Sequence, residues 1–197
     1  LNVMPLSIAE RLKNGESPLA DRHTAVTILF ADLVGFTRYA GTATPEEVVA
    51  KLNLLFSAFD DLADELGLEK IKTIGDCYMG TAGLPHTRPD HAVVAAKMAL
   101  GMLAIAKEQE LETRIGMHSG PVVAGVIGKR KFIYDLWGDT VNVAARMESH
   151  GAAGRIHVTK STRDALAHAF TLTHRGTVEV KGKGPMDTWW LVGALKP

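Results

Sequence analysis

Cysteine is all but absent. Cys77 is the single one in 197 residues, so no internal disulfide can form and a reducing compartment suits the chain. A chain of this length buries a substantial core without such a staple. Net charge is missing too. Lys plus Arg and Asp plus Glu both number 22, which removes bulk electrostatic attraction to nucleic acid or to an anionic membrane. No run is long and apolar enough to cross a bilayer. The most apolar stretch, Ala92 to Ala106, falls short of the ~20 residues required and carries Lys97. No signal peptide, internal repeat or low-complexity segment is visible. The sequence starts at Leu1 rather than Met, so the reading allows for a longer parent chain, membrane anchor included. What remains is one large domain, with or without a short appendage.

Leu1 to Glu16 stands apart from the rest. Ile8 and Leu12 have helical spacing, and Gly15 and Pro18 end the pattern. Two readings stay open: a leader or packing helix, or the end of a connector arriving from an upstream domain. The division is set at 1–18 for this segment and 19–197 for the main domain.

Ala25–Ala31 is a β-branched apolar run of buried-strand character that ends at Asp32. Thr44-Pro45-Glu46-Glu47 supplies a cap, a first-turn proline and first-turn acids. The helix it opens reaches Leu66, with Gly67 beyond. Lys70–Ile74 and Cys77–Leu84 read as strands joined at Gly75-Asp76. Pro89–Glu110 reads as a second long helix. Thr113–His118 and Val122–Ile127 read as two strands around Ser119-Gly120, and Phe132–Trp137 as another. Asp139 is expected to cap a short helix running to Ser149. A strand at Ile156–Val158, a helix at Ser161–His168 and three short strands after Phe170 close the chain. The order strand, helix, hairpin, helix, strand predicts an α+β fold with a ferredoxin-like split βαβ core (βαββαβ) and additional C-terminal α/β elements.

Several side chains carry chemistry in this pattern. Asp32 sits at the end of a buried strand and Asp76 at a hairpin tip. The split core lays that strand beside the hairpin, so the two carboxylates can converge on a hard cation such as Mg²⁺ or Mn²⁺. Taken singly, each aspartate is as well explained by a helix cap or a turn. Gly35 allows a tight turn, after which backbone amides can face phosphate oxygens. Lys72 precedes Asp76 by four residues, ~13 Å along one strand face, about the span from a nucleotide's base to its phosphates. Lys72 can donate to adenine's acceptor nitrogen and Asp135 accept from its amino group. A solvated strand lysine is the plain alternative for Lys72. Asp135, an acid within an apolar stretch, calls for a specific partner once buried. Asn142 and Arg146 are four apart on one helix face, and Arg146 has the fork to clamp a phosphoryl group. For an isolated Asn/Arg pair, a polar outer face opposite Val143 and Met147 is the default reading. Lys181 and Lys183 alternate with Gly182 and Gly184 but lack the spacing of a Walker A loop.

Taken together, four ordered segments resemble the class III adenylyl/guanylyl cyclase catalytic domain: Leu29–Thr37, Lys70–Met79, Gly116–Gly125 and Tyr134–Met147. The likeness runs from about Arg22 to Val192, and Met4–Leu12 resembles the connector that precedes such domains in larger receptors. The resemblance implies that Asp32, Asp76 and the Leu33 backbone carbonyl hold two divalent cations, Mg²⁺ or Mn²⁺. It further implies that Gly35, Phe36, Thr37 and Lys181 bind the triphosphate, that Lys72 and Asp135 read adenine, that Asn142 positions the ribose, and that Arg146 stabilises the transition state. Guanylyl cyclases of this family carry Glu and a small residue such as Cys at the two base-reading positions, so ATP is the implied substrate. A head-to-tail homodimer with two sites is implied as well, with Lys129–Ile133 as an arm across the interface and an upstream regulatory or membrane domain. The catalytic domain itself would be cytoplasmic. The competing readings are a guanylyl cyclase, a silent nucleotide-binding or dimerisation module, and another two-metal enzyme on the same core.

Overall fold

The computed structural model describes residues 4–128 and 130–195. Helix α1 (Leu6–Lys13) is followed by β1 (Ala20–Leu33), an interior strand of the sheet. β1 is longer than the apolar run expected at Ala25–Ala31. The five residues before that run, Ala20–Thr24, are exposed or half-buried and mostly polar. The short α2 (Phe36–Ala40) and the long α3 (Pro45–Leu66) lead to the hairpin of β2 (Glu69–Ile74) and β3 (Cys77–Ala82). Helix α4 (His91–Glu108) crosses back to β4 (Thr113–Ile127). β1 is antiparallel to both β3 and β4, and the order β2-β3-β1-β4 is the expected split βαβ core. β5 (Ile133–Trp137) pairs with β4, and α5 (Asp139–Ser149) follows it. The sheet continues from β4 through β6 (Ile156–Thr159), α6 (Lys160–Leu166) being the next element. Beyond β6 lie β8 (Gly184–Ala194) and β7 (Phe170–Val180).

Three sequence expectations need correction. Thr113–Ile127 is one strand rather than two, because Ser119 and Gly120 pair with Thr27 and Val26 instead of turning. Gly120 serves close packing there: a Cβ would come within 2.7 Å of the Thr140 hydroxyl. The three short C-terminal strands are one hairpin, β7–β8, whose polar exposed positions had broken the apolar pattern. Asp139 is the first residue of α5 rather than its cap. Gly138 holds the cap position, with φ 135°, and no side chain bonds there.

Local chemistry explains the long helices. At α3 the Thr44 hydroxyl accepts from the Glu47 N–H while the Glu47 carboxylate accepts from the Thr44 N–H, a reciprocal cap worth about 1 kcal/mol. The small and flexible side chains of α4, from Ala92 through Met102 to Ala106, let it lie flat on the sheet, with Lys97 exposed. Alternation on β1 splits the core. Leu29, Ala31 and Leu33 meet α3, α4 and α6 on one face; Ile28 and Phe30 meet Val122, Leu136, Ala144 and Ile8 of α1 on the other.

Helix α5 presses backbone to backbone on β4. A Cβ at Gly116 would stand 1.9 Å from the Glu148 nitrogen. Gly116→Ala is therefore expected to cost about 3 kcal/mol or more, lowering the melting temperature by ~6–10 °C. A melt within ~2 °C of the parent would show that α5 gives way more readily than this packing implies.

Candidate active site

Asp32 stands one residue from the end of β1, in register with Cys77 of β3 on one side and Arg114 of β4 on the other. Asp76 follows Gly75 in the β2–β3 turn, where Gly75 takes φ 62°. The fold thus brings both aspartates to one end of the sheet. Burial raises the Asp32 carboxyl above its ordinary range, and the neighbouring Asp76 raises it further, against the pull of Arg114. Two crowded carboxylates at a strand end favour a cation. Among the described residues no three His, Cys, Asp or Glu side chains converge on one point. The side chains available are two hard carboxylates, with other positions open to backbone carbonyl, water and phosphate oxygens, which fits Mg²⁺ or Mn²⁺. The Leu33 side chain is buried in the core, and Val34 N–H donates to the Glu112 carbonyl at 2.9 Å. Burial, followed by Glu148, Asp32 and Asp76, pushes the Cys77 thiol up to about 12.

Gly35 caps α2 in the left-handed region with φ 77°. Phe36 is buried against the core, Thr37 is exposed, and the first N–H groups of α2 have no partner within the helix. This turn adjoins the aspartate end through Leu33 and Val34.

Lys72 and Asp135 form a second centre. Lys72 of β2 donates to Asp135 Oδ2 of β5, while Asp135 Oδ1 accepts from the Leu136 N–H. The side chains are 38% and 16% exposed, so the pair is half-sheltered. The expectation that Lys72 and Asp76 share one strand face is not met. β2 ends at Ile74, and its pairing with β3 shifts register between Lys70 and Lys72. Asp135 lies in an apolar setting: Val123 faces Trp137 and Ile127 faces Ile133 across the β4–β5 ladder, with Asp135 opposite Gly125 between them. All four apolar residues are exposed, as is Phe132. Of the expected arm, Lys129 lies outside the described residues.

Asn142 and Arg146 are both exposed on α5, opposite the buried Val143, Ala144 and Met147. Among the described residues neither side chain bonds to another. Lys181 is exposed at the tip of the β7–β8 hairpin. Its neighbour Lys183 is tied down, with Nζ 2.6 Å from Asp139 Oδ2. That ion pair fastens the hairpin tip to the start of α5. Beside it a cleft of about 530 Å³ is lined by His118, Gly120, Trp137, Asp139 and Thr140. Burial holds the His118 imidazole down at about 4, so it stays neutral at pH 7 while bonded to Thr159.

Arg114 and Glu148 join the site without a sequence motif to mark them. Arg114 Nη2 donates to Asp32 Oδ2 at 2.9 Å and its Nε donates to Glu148 Oε1 at 2.7 Å. The available signal was a charged residue at the start of a strand that pairs with the strand of Asp32.

His157 anchors the other end of α5. Fully buried, it donates from Nδ1 to the Met147 carbonyl at 2.7 Å, and Arg175 Nη1 lies over its ring, 3.0 Å from Nδ1 and 2.9 Å from Nε2. Burial holds its pKa at about 4, below the ordinary 6.5. The folded value lies under the unfolded one. Its contribution is therefore complete above pH 6.5 and is lost as pH falls toward 4. Urea stability should drop by about 2–3 kcal/mol from this group over that window, and His157→Gln should flatten the slope. An identical slope in the variant would contradict the assignment.

The match to the adenylate and guanylate cyclase catalytic domain model covers residues 19–193. An adenylate cyclase of Mycobacterium tuberculosis is 48% identical over 199 residues, covering 98% of this chain and 45% of that protein. The atrial natriuretic peptide receptor 2 of Homo sapiens is 46% identical over 205 residues, covering 98% of this chain and 20% of the receptor. Among solved structures, the guanylate cyclase domain of RhGC from Catenaria anguillulae in complex with GTP superimposes with a TM-score of 0.86. It is 38% identical and covers 89% of this chain and 100% of that one. The chain thus spans less than half the length of these curated relatives.

Proposed function

Because the chain belongs to the adenylate and guanylate cyclase catalytic domain family, we propose that it converts ATP to 3′,5′-cyclic AMP and pyrophosphate at a site shared by two head-to-tail copies. The observation that carries the choice of purine is the Lys72–Asp135 pair. Lys72 spends one ammonium proton on Asp135 and keeps two for an acceptor nitrogen of the base. Each oxygen of Asp135 keeps a lone pair for the amino group. Adenine offers that acceptor and that donor; guanine presents an oxygen and a ring N–H there instead.

The reaction joins the ribose 3′-oxygen to the α-phosphorus and breaks the bond to pyrophosphate; the hydroxyl proton leaves. The family uses divalent metals. Two such cations held by Asp32, Asp76 and the Leu33 carbonyl would make the 3′-hydroxyl more acidic and offset charge on the leaving group. Arg146 places its fork on the crowded phosphoryl group as charge builds. Asn142 orients the ribose. The amides at Gly35, Phe36 and Thr37, together with Lys181, hold the triphosphate.

Two observations support the shared site. The base-reading pair sits amid an exposed apolar face, Val123, Ile127, Ile133 and Trp137, of the kind a protein partner covers. Asn142, Arg146 and Lys181 are exposed and free, with no bond to Asp32 or Asp76 among the described residues. Residues 1–18 are the connector in this reading and 19–197 the catalytic domain of a longer protein, working on the cytoplasmic side. Among the described residues no helix is long and apolar enough to cross a membrane.

The solved neighbour bound to GTP favours a guanylyl cyclase as the second reading. Product formation from ATP and from GTP, with Mn²⁺ and with Mg²⁺, separates the two. Cyclic AMP that forms from ATP, grows per subunit with protein concentration and vanishes in Asp76→Ala is the expected result. Cyclic GMP as the main product would move the reading to guanine.

A further inference from the structure

We propose that Glu148 is a positioning residue for the cation site of its own copy, acting through Arg114 on Asp32, and that α5 thereby links the two half-sites of the dimer. The inference rests on the two-copy reading above. Arg114 bridges two carboxylates: Nε to Glu148 at 2.7 Å and Nη2 to Asp32 at 2.9 Å. A guanidinium is planar, so fixing one donor with Glu148 fixes the direction of the other toward Asp32. Glu148 is the most sheltered of the three, its side chain 12% exposed against 23% for Asp32 and 31% for Arg114.

The backbone makes this arrangement stiff. Gly116 lets the end of α5 touch β4 two residues from Arg114. A Cβ at Gly151 would stand 2.7 Å from Arg114 Cγ and from the Glu148 carbonyl. Met147 is fully buried, and its carbonyl is held by the buried His157. Glu148 thus has little freedom relative to Arg114. The same helix shows Asn142 and Arg146 outward. In a head-to-tail pair those two serve the site completed by the partner's aspartates, while Glu148 acts on the aspartates of its own copy. One rigid helix of 11 residues therefore touches both sites.

Mixed dimers test this. A copy with Arg146→Ala and a copy with Asp76→Ala form one complete site, its cations held by the first and its Arg146 supplied by the second. Glu148→Gln on the Arg146→Ala copy is expected to raise the Mn²⁺ requirement of that site by about tenfold. The same change on the Asp76→Ala copy should leave activity within about twofold. Equal losses from both placements would mean a merely structural role and overturn the proposal; so would no loss from either. Mn²⁺ binding without nucleotide, read by electron paramagnetic resonance on the Arg146→Ala dimer, gives an answer independent of turnover. It should weaken by about tenfold with Glu148→Gln, and unchanged binding would overturn the proposal. A mixture inactive before Glu148 is touched would defeat the two-copy reading instead, and the Mn²⁺ titration would still judge Glu148.

Discussion

Arg146→Ala is expected to lower kcat by ~100- to 1000-fold while KM for ATP moves by less than ~threefold. The side chain is exposed on α5 and bonds to no other side chain among the described residues, so its removal should leave the fold intact. Its loss would then be felt where negative charge accumulates on the phosphoryl group. An interaction made only in the transition state lowers kcat and kcat/KM together. A large rise in KM at unchanged kcat would place Arg146 on the ground-state triphosphate instead.

Lys72→Glu combined with Asp135→Cys is expected to reverse the purine preference. Each base contact is worth about 1–3 kcal/mol, so cyclic AMP formation should fall by roughly 30- to 20,000-fold in kcat/KM while GTP turnover appears. The single change Lys72→Glu should do worse with both substrates. It removes the cation bonded to Asp135 and sets a second carboxylate beside a half-sheltered one. The double change removes that clash. Cyclic AMP and cyclic GMP yields from equal ATP and GTP read the outcome directly. A double variant that keeps its preference for ATP would show that the base is read elsewhere.

Much of the fold was legible in the residues because local and tertiary signals agreed. Thr44-Pro45 with Glu47 marked the start of α3, and the β-branched run before Asp32 marked β1. The misreadings came where packing overruled local chemistry. Ser119-Gly120 looks like a turn, yet Gly120 is small because Thr140 of α5 lies against β4. Asp139 looks like a cap, yet it is spent on Lys183. At the site, Asp32 and Asp76 could be placed together because the split core dictates that neighbourhood. The pairing of Lys72 with Asp135 spans 63 residues, and no spacing rule reports it. Arg114 and Glu148 stayed hidden for the same reason. Their meaning comes from the register of β4 on β1 and from the glycines that seat α5.

The shared site is tested most directly by mixing two inactive proteins, Asp76→Ala and Arg146→Ala, in equal amounts and measuring cyclic AMP from ATP. Half of the randomly paired dimers would be mixed, each with one complete site of two, so activity should return to about a quarter of the parent's. A mixture as inactive as its components, with dimers present, would contradict a site assembled from two copies.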